Sequence, residues 1–108
     1  MERNHELRRY RTPSGRVPYS DWLCSLDNTP AARVAAHVDR MKTGNFGDSR
    51  PVGSGVIELR IHTGPGYRVY YVHDDGKIVV LLCGGTKGSQ AADIRKAQDY
   101  GRDYWERR

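Results

Sequence analysis

Cysteine is scarce in this chain of 108 residues: Cys24 and Cys83 are the only two, and they stand far apart. That excludes a disulfide scaffold and a cysteine zinc site, and both are expected to be reduced thiols of the core. Long apolar runs are also missing. The longest, IVVLLC from Ile78 to Cys83, has six residues, whereas a membrane-spanning helix needs roughly 20. The opening residues MERNHELRRYR carry four arginines and no apolar stretch, unlike a secretory leader. A soluble, cytoplasmic protein without membrane contact is therefore expected. The familiar signatures GxxxxGK[ST], HExxH, GxSxG and CxxC do not occur, which removes P-loop, zincin, serine-hydrolase and dithiol chemistry. His5, His37 and His73 have no metal-ligand spacing with Asp, Glu or Cys, so no metal and no cofactor is expected. Acidic residues are in the minority, 13 against 18 Lys and Arg. The resulting charge of +5 and pI near 9.5 raise the prospect of a polyanionic partner.

The chain length suits one domain over residues 1–108, and hydrophobic residues at 37%, with seven Tyr and two Trp, are enough to fold it. HELRRYR predicts a weak first strand, ended by the turn formers Pro13 and Gly15. Tyr19, Trp22, Leu23 and Leu26 share helical spacing and predict a short helix from Pro18. A second helix is expected at about 30–43, with Thr29 as its cap, Pro30 in the first turn and Gly44 closing it. Its inner ridge is Ala31, Val34, Val38 and Met41, and the basic row Arg33, His37 and Arg40 faces away, read as solvated.

Residues 44–55, with four Gly and one Pro, read as a loop. VIELRIH then alternates as a half-buried strand, with Ile57, Leu59 and Ile61 on one face and Val56, Glu58, Arg60 and His62 on the other. YRVYYVH returns from the turn TGPG, and DDG marks a tight hairpin into KIVVLLC, which is apolar on both faces. From Gln90 a helix carries Ile94, Ala97, Tyr100 and Tyr104 in spite of Gly101, which costs about 1 kcal/mol. The order β-α-α-β-β-β-α fits an α+β fold, a small antiparallel sheet with helices packed on one face.

Chemistry concentrates on the polar side of the strand pair. In one of several possible registers, a three-residue connection at 63–65 would set Arg60 directly opposite Arg68. Like charges so placed repel by a few tenths of a kcal/mol or more, which makes sense if an anion lies between them, or if each pairs with a carboxylate such as Glu58. His62 lies two residues from Arg60 and among arginines would stay neutral and able to accept a proton, or, as a lone strand histidine, serves a structural role. Lys87 stands among the glycines of GGTKGS, where backbone N–H groups and an ammonium could meet a phosphate, or where the loop merely leads a strand into a helix. Tyr67, Tyr70 and Tyr71 are mainly packing residues, with at least one on the polar face in reach of a base.

Taken together, GNFGD, PVGSGVIELRIHTGPGYRVYY and LLCGGTKGSQAADI resemble the RelE/ParE superfamily of toxins from type II toxin-antitoxin modules, in particular the phage-derived HigB-like branch of addiction module killer proteins. The likeness spans about residues 7–100. It implies a RelE-like fold, two N-terminal helices against a curved antiparallel sheet, and a cognate antitoxin, a helix-turn-helix protein encoded adjacently. It further implies a metal-independent mRNA endoribonuclease acting on the ribosome, which inhibits translation by driving a ribose 2′-hydroxyl onto the neighbouring phosphate. Basic positions of that family fall on Arg60, Arg68 and Lys87, while Gly88 and Ile94 replace a further basic residue and a tyrosine. His62 is then the candidate base. The competing expectations are a non-enzymatic ParE-like poison of DNA gyrase and a phage nucleic-acid-binding module, since fold alone does not choose function.

Overall fold

The computed structural model describes residues 4–108; Met1 to Arg3, part of the arginine-bearing N-terminal stretch, lie outside the described residues. Strand β1 is Glu6–Arg9, followed by helices α1 at Pro18–Ser25 and α2 at Asn28–Asp39. Four strands follow, β2 at Asp48–Pro51, β3 at Ile57–Ile61, β4 at Tyr67–Asp74 and β5 at Ile78–Thr86, and helix α3 runs over Gln90–Arg107. The expected order holds with one short strand added, β2, inside the segment read as a loop. Asp48-Ser49-Arg50-Pro51 has no apolar alternation to reveal it, and it exists because it can pair with β3.

Pro18 opens α1 without needing a hydrogen-bond partner for its nitrogen. Helix α2 starts earlier than its sequence signals suggested, with Asp27 at the cap position and no side-chain cap bond, so Thr29 lies within the first turn. A 3-10 turn over Arg40–Thr43 extends α2, and Gly44, at φ 89°, ends it in the left-handed region that glycine enters at little cost.

The sheet order is β1-β5-β4-β3-β2. Pairing is antiparallel except at one edge, where β1 runs parallel to β5; the expected antiparallel sheet is thus mixed. Nor do the helices share a face. Tyr19, Val34, Val38 and Met41 from α1, α2 and the 3-10 turn pack on Leu59, Ile61, Val69, Tyr71, Val79 and Leu81. On the other side Ala97 of α3 packs with Val56, Tyr70, Val72, Val80 and Leu82. This is why β5 is apolar on both faces, and why Val56, expected on a polar face, is fully buried. A register shift near Tyr70 pairs Tyr70 with Cys83 and Tyr71 with Leu81, which puts Leu82 and Cys83 together in the second core.

Gly101 is buried in α3, and a methyl group there would meet Val56, Val72 and Leu82 at 3.5–3.7 Å, ordinary contact distances. Gly101→Ala is therefore expected to stabilise the fold by about 0.5–1 kcal/mol, through helix propensity and a smaller unfolded ensemble; a thermal midpoint that falls would refute this.

His73 packs edge-on against Phe46 and Tyr71 and beside His5. Burial, then the neighbouring His5, hold its imidazole below the ordinary histidine range. The unfolded chain thus takes up this proton more readily than the fold. The stability from neutral His73 is complete above the ordinary value of about 6.5 and is lost as pH falls below it. Urea midpoints are expected to drop between pH 7.5 and 5.5, roughly spanning that value, with a flatter profile in His73→Phe.

Candidate nucleic-acid interface

The short connection after β3 aligns the strand pair so that Arg60 lies directly opposite Arg68, with Ile61 opposite Tyr67. Gly64 at φ 54° and Gly66 at φ 78° let the chain turn back in so few residues. Between the two arginines the chain supplies its own anion. Glu58 is fully buried; its Oε1 accepts from Nε of Arg60 at 2.9 Å and Nε of Arg50 at 3.4 Å. Its Oε2 accepts from the Tyr70 hydroxyl at 3.1 Å and the Gln90 amide at 2.9 Å, and Nε of Arg68 lies 3.6 Å away. Of the two expectations for the arginine pair, Glu58 pairing is the one realised.

The cluster still carries a surplus of positive charge, three guanidinium groups around one carboxylate. Its accessibility is graded: the side chain of Arg68 is 8% exposed, Arg60 24% and Arg50 51%. Arg68 is thus an inner cation, its Nε buried without a hydrogen-bond partner among the described residues, whereas Arg60 and Arg50 reach solvent. With both carboxylate oxygens engaged by donors, Glu58 fixes the guanidinium positions. Arg50 went unrecognised in the sequence because β2 did; Gln90 gave no signal there at all, since it arrives from α3.

Lys87 joins the same end of the strand pair. Its backbone N–H donates to the carbonyl of Gly66 at 2.9 Å, and a methyl placed on Gly66 would lie 3.5 Å from Lys87 Cβ and 3.6 Å from a terminal nitrogen of Arg68. The glycines before it do not form a phosphate cradle. Gly84 and Gly85 belong to β5, paired with Val69 and Arg68. A Cβ on Gly84 would stand 2.2 Å from the Trp22 ring, and one on Gly85 1.9 Å from Asp93, so packing alone excludes side chains there.

His62 follows β3 directly and is 69% exposed; its Nε2 lies 2.6 Å from Oδ2 of Asp48, the residue paired with Arg60 across β2 and β3. The structure therefore gives His62 a carboxylate neighbour where arginines were expected. One ring nitrogen is engaged by Asp48, an arrangement that orients an imidazole and leaves its other nitrogen available.

Tyr70 is the tyrosine on this face, but it is fully buried, and burial, then the charge of Glu58, hold its phenol far above the ordinary range. It cannot stack on a base. Arg33 is exposed, as its place on the outer row of α2 led us to expect, and it also donates to Thr63 Oγ1 at 2.8 Å, tying α2 to the β3–β4 turn. Of the two thiols only Cys83 is in the core, where burial pushes it up to about 12; Cys24 is exposed, because it falls on the outer side of α1.

No helix is long and apolar enough to cross a membrane, among the described residues. Residues 21–101 match the family described as "Phage derived protein Gp49-like (DUF891)", a range that contains the whole arginine cluster, His62 and Lys87. A protein of Haemophilus influenzae, described as uncharacterized, is 46% identical over 83 residues, which cover 76% of this chain and 84% of that one.

Proposed function

The chain belongs to the phage-derived Gp49-like family, and on that premise we propose that it is the toxin of a type II toxin-antitoxin module, of the RelE-like kind and the HigB-like branch, acting as a metal-independent mRNA endoribonuclease on the ribosome. The observation that carries this reading is the arginine cluster: Arg60 and Arg68 face each other across β3 and β4, held by a buried Glu58, with Lys87 at the same end. Its outer groups would meet the scissile phosphate. In the reaction a ribose 2′-oxygen bonds to phosphorus while the bond to the 5′-oxygen breaks. A base takes the 2′-hydroxyl proton and an acid supplies one to the leaving oxygen. Fixed cations stabilise the charge that builds on the phosphate oxygens, and they act without reorganising because Glu58, itself held by Tyr70 and Gln90, has already oriented them. His62, steadied by Asp48, is the candidate base.

A basic chain of this kind is suited to an acidic antitoxin segment, with complementary charge steering the association; that partner is taken to be the helix-turn-helix product of an adjacent reading frame. Induction of the chain alone should arrest growth and create new mRNA 5′ ends within coding regions, and co-expression of the neighbouring product should relieve both. Intact mRNA accompanied by double-strand DNA breaks would replace this reading with that of a gyrase poison. His62→Gln is expected to slow cleavage by about 10²-fold near neutral pH, measured in single turnovers; unchanged rates would remove the proton-transfer role and leave the phosphate cluster standing.

A further inference from the structure

Strand β1 accompanies β5 only as far as Leu81, whose carbonyl accepts from Tyr10 N–H at 2.9 Å; the chain then turns away toward α1. Among the described residues, the outer edge of β5 beyond that point has no strand beside it. The N–H of Lys87 bonds toward β4, to Gly66, and that of Thr86 turns the other way, to Ser89 Oγ at 3.5 Å. By the alternation of a strand, the N–H and C=O of Gly84 also point away from β4. They border a cleft of about 350 Å³ between α1 and α3, lined among others by Asp21 and Trp22 on one side, Asp93, Lys96 and Tyr100 on the other, and Arg16. The side chains of Arg16, Asp21 and Lys96 make no hydrogen bond or ion pair among the described residues, so the cleft holds uncommitted charge of both signs. Cys83 also lines it, but as a protonated thiol it brings no nucleophile.

This combination selects a flat, polar-edged ligand. Trp22 and Tyr100 offer aromatic surfaces, the Gly84 main chain offers a donor beside an acceptor, and the carboxylates accept from amino groups, while Arg16 and Lys96 suit a phosphate or ribose. The volume lies at the small end of ligand sites, which run from roughly 300 to 1,000 Å³. Thr86, on the cleft wall, immediately precedes Lys87 of the arginine cluster. We propose that this cleft takes one nucleobase of a single-stranded RNA, stacked on Trp22 and read along its edge by the Gly84 main chain and the Asp93 carboxylate. It thereby names a base-selecting subsite for the RNA-cleaving site, and rests on that reading for the identity of its ligand.

The chain has two tryptophans, Trp22 and Trp105, so Trp105→Phe leaves Trp22 as the sole indole. Titration of that full-length variant with the four ribonucleoside 5′-monophosphates should quench its fluorescence saturably, with one base preferred, and Lys96→Ala or Asp21→Asn should weaken the response about tenfold by loss of a charge-assisted contact. Both substituted residues are exposed, and circular dichroism with the unliganded Trp22 emission verifies folding. Equal quenching by ribose 5-phosphate, which lacks a base, or no saturable quenching, would overturn the proposal. So would tighter binding of an extended tetrapeptide, the alternative partner for a free strand edge. Because binding is read without turnover, a chain that binds but does not cleave sinks the reaction assigned above, and one that cleaves but does not bind sinks only the subsite.

Discussion

Glu58→Ala is expected to destabilise the protein by about 3–5 kcal/mol, the usual cost of leaving a buried charge uncompensated. Arg68, only 6% exposed, would keep its guanidinium in the interior with no anion beside it, and the Tyr70 hydroxyl and Gln90 amide would lose the acceptor they share. Against a total stability of roughly 5–15 kcal/mol for a domain, such a loss brings the chain close to unfolding at ambient temperature. Glu58→Gln should cost less, since its side-chain oxygen can still accept from Tyr70. Urea unfolding of the two variants measures the difference. A midpoint for Glu58→Ala within the scatter of surface substitutions would mean that the carboxylate is not what holds the cluster together.

Arg60→Ala is expected to lower single-turnover RNA cleavage by about 10²- to 10³-fold, the usual consequence of removing one preorganised donor from a transition state, while leaving a folded protein. The distinction from Glu58 follows from exposure: Arg60 reaches solvent at 24% of its side chain, and its removal leaves Glu58 with Arg50, Arg68, Tyr70 and Gln90. Arg68→Ala should lose both activity and stability, because the buried guanidinium is at once part of the cluster and a partner of Glu58. Arg33→Ala, which breaks a single bond to the β3–β4 turn, serves as the comparison and should cleave within a few-fold of the unmodified chain. Full activity in a folded Arg60→Ala would remove the phosphate-binding assignment.

The face-to-face placement of Arg60 and Arg68 was legible in the sequence because it needs only local information. A strand alternates with period two, and among the few registers that a short turn allows, one sets positions 60 and 68 opposite each other; the structure adopts that one. Lys87 was legible for a different reason, as the basic residue that follows the last strand in chains of this resemblance. Arg50 and Asp48 were hidden because β2 has no pattern of its own and becomes a strand only by hydrogen-bonding to β3. Gln90 was hidden because it sits 32 positions from Glu58, and only the docking of α3 brings them together.

Sequence alone therefore determined the α+β class, the three helices, the long strands and the polar row on β3 and β4, all of which rest on periodicity, turn residues and neighbours within a hairpin. Tertiary structure decided what periodicity cannot encode. Helix α3 closed the second face of the sheet because Val56, Val72, Val80 and Leu82 needed cover that α1 and α2, already committed to the first face, could not give. That closure buried Glu58 and Tyr70 and brought Gln90 to them, while the pairing of β2 with β3 added Arg50 to the two facing arginines around one carboxylate. It also set α3 across from α1 at the uncovered end of β5, where the cleft opens. The physical reason is that hydrogen bonds within a helix or across a tight hairpin link near neighbours, whereas burial of apolar surface is indifferent to separation in the chain and chooses which distant residues finally meet.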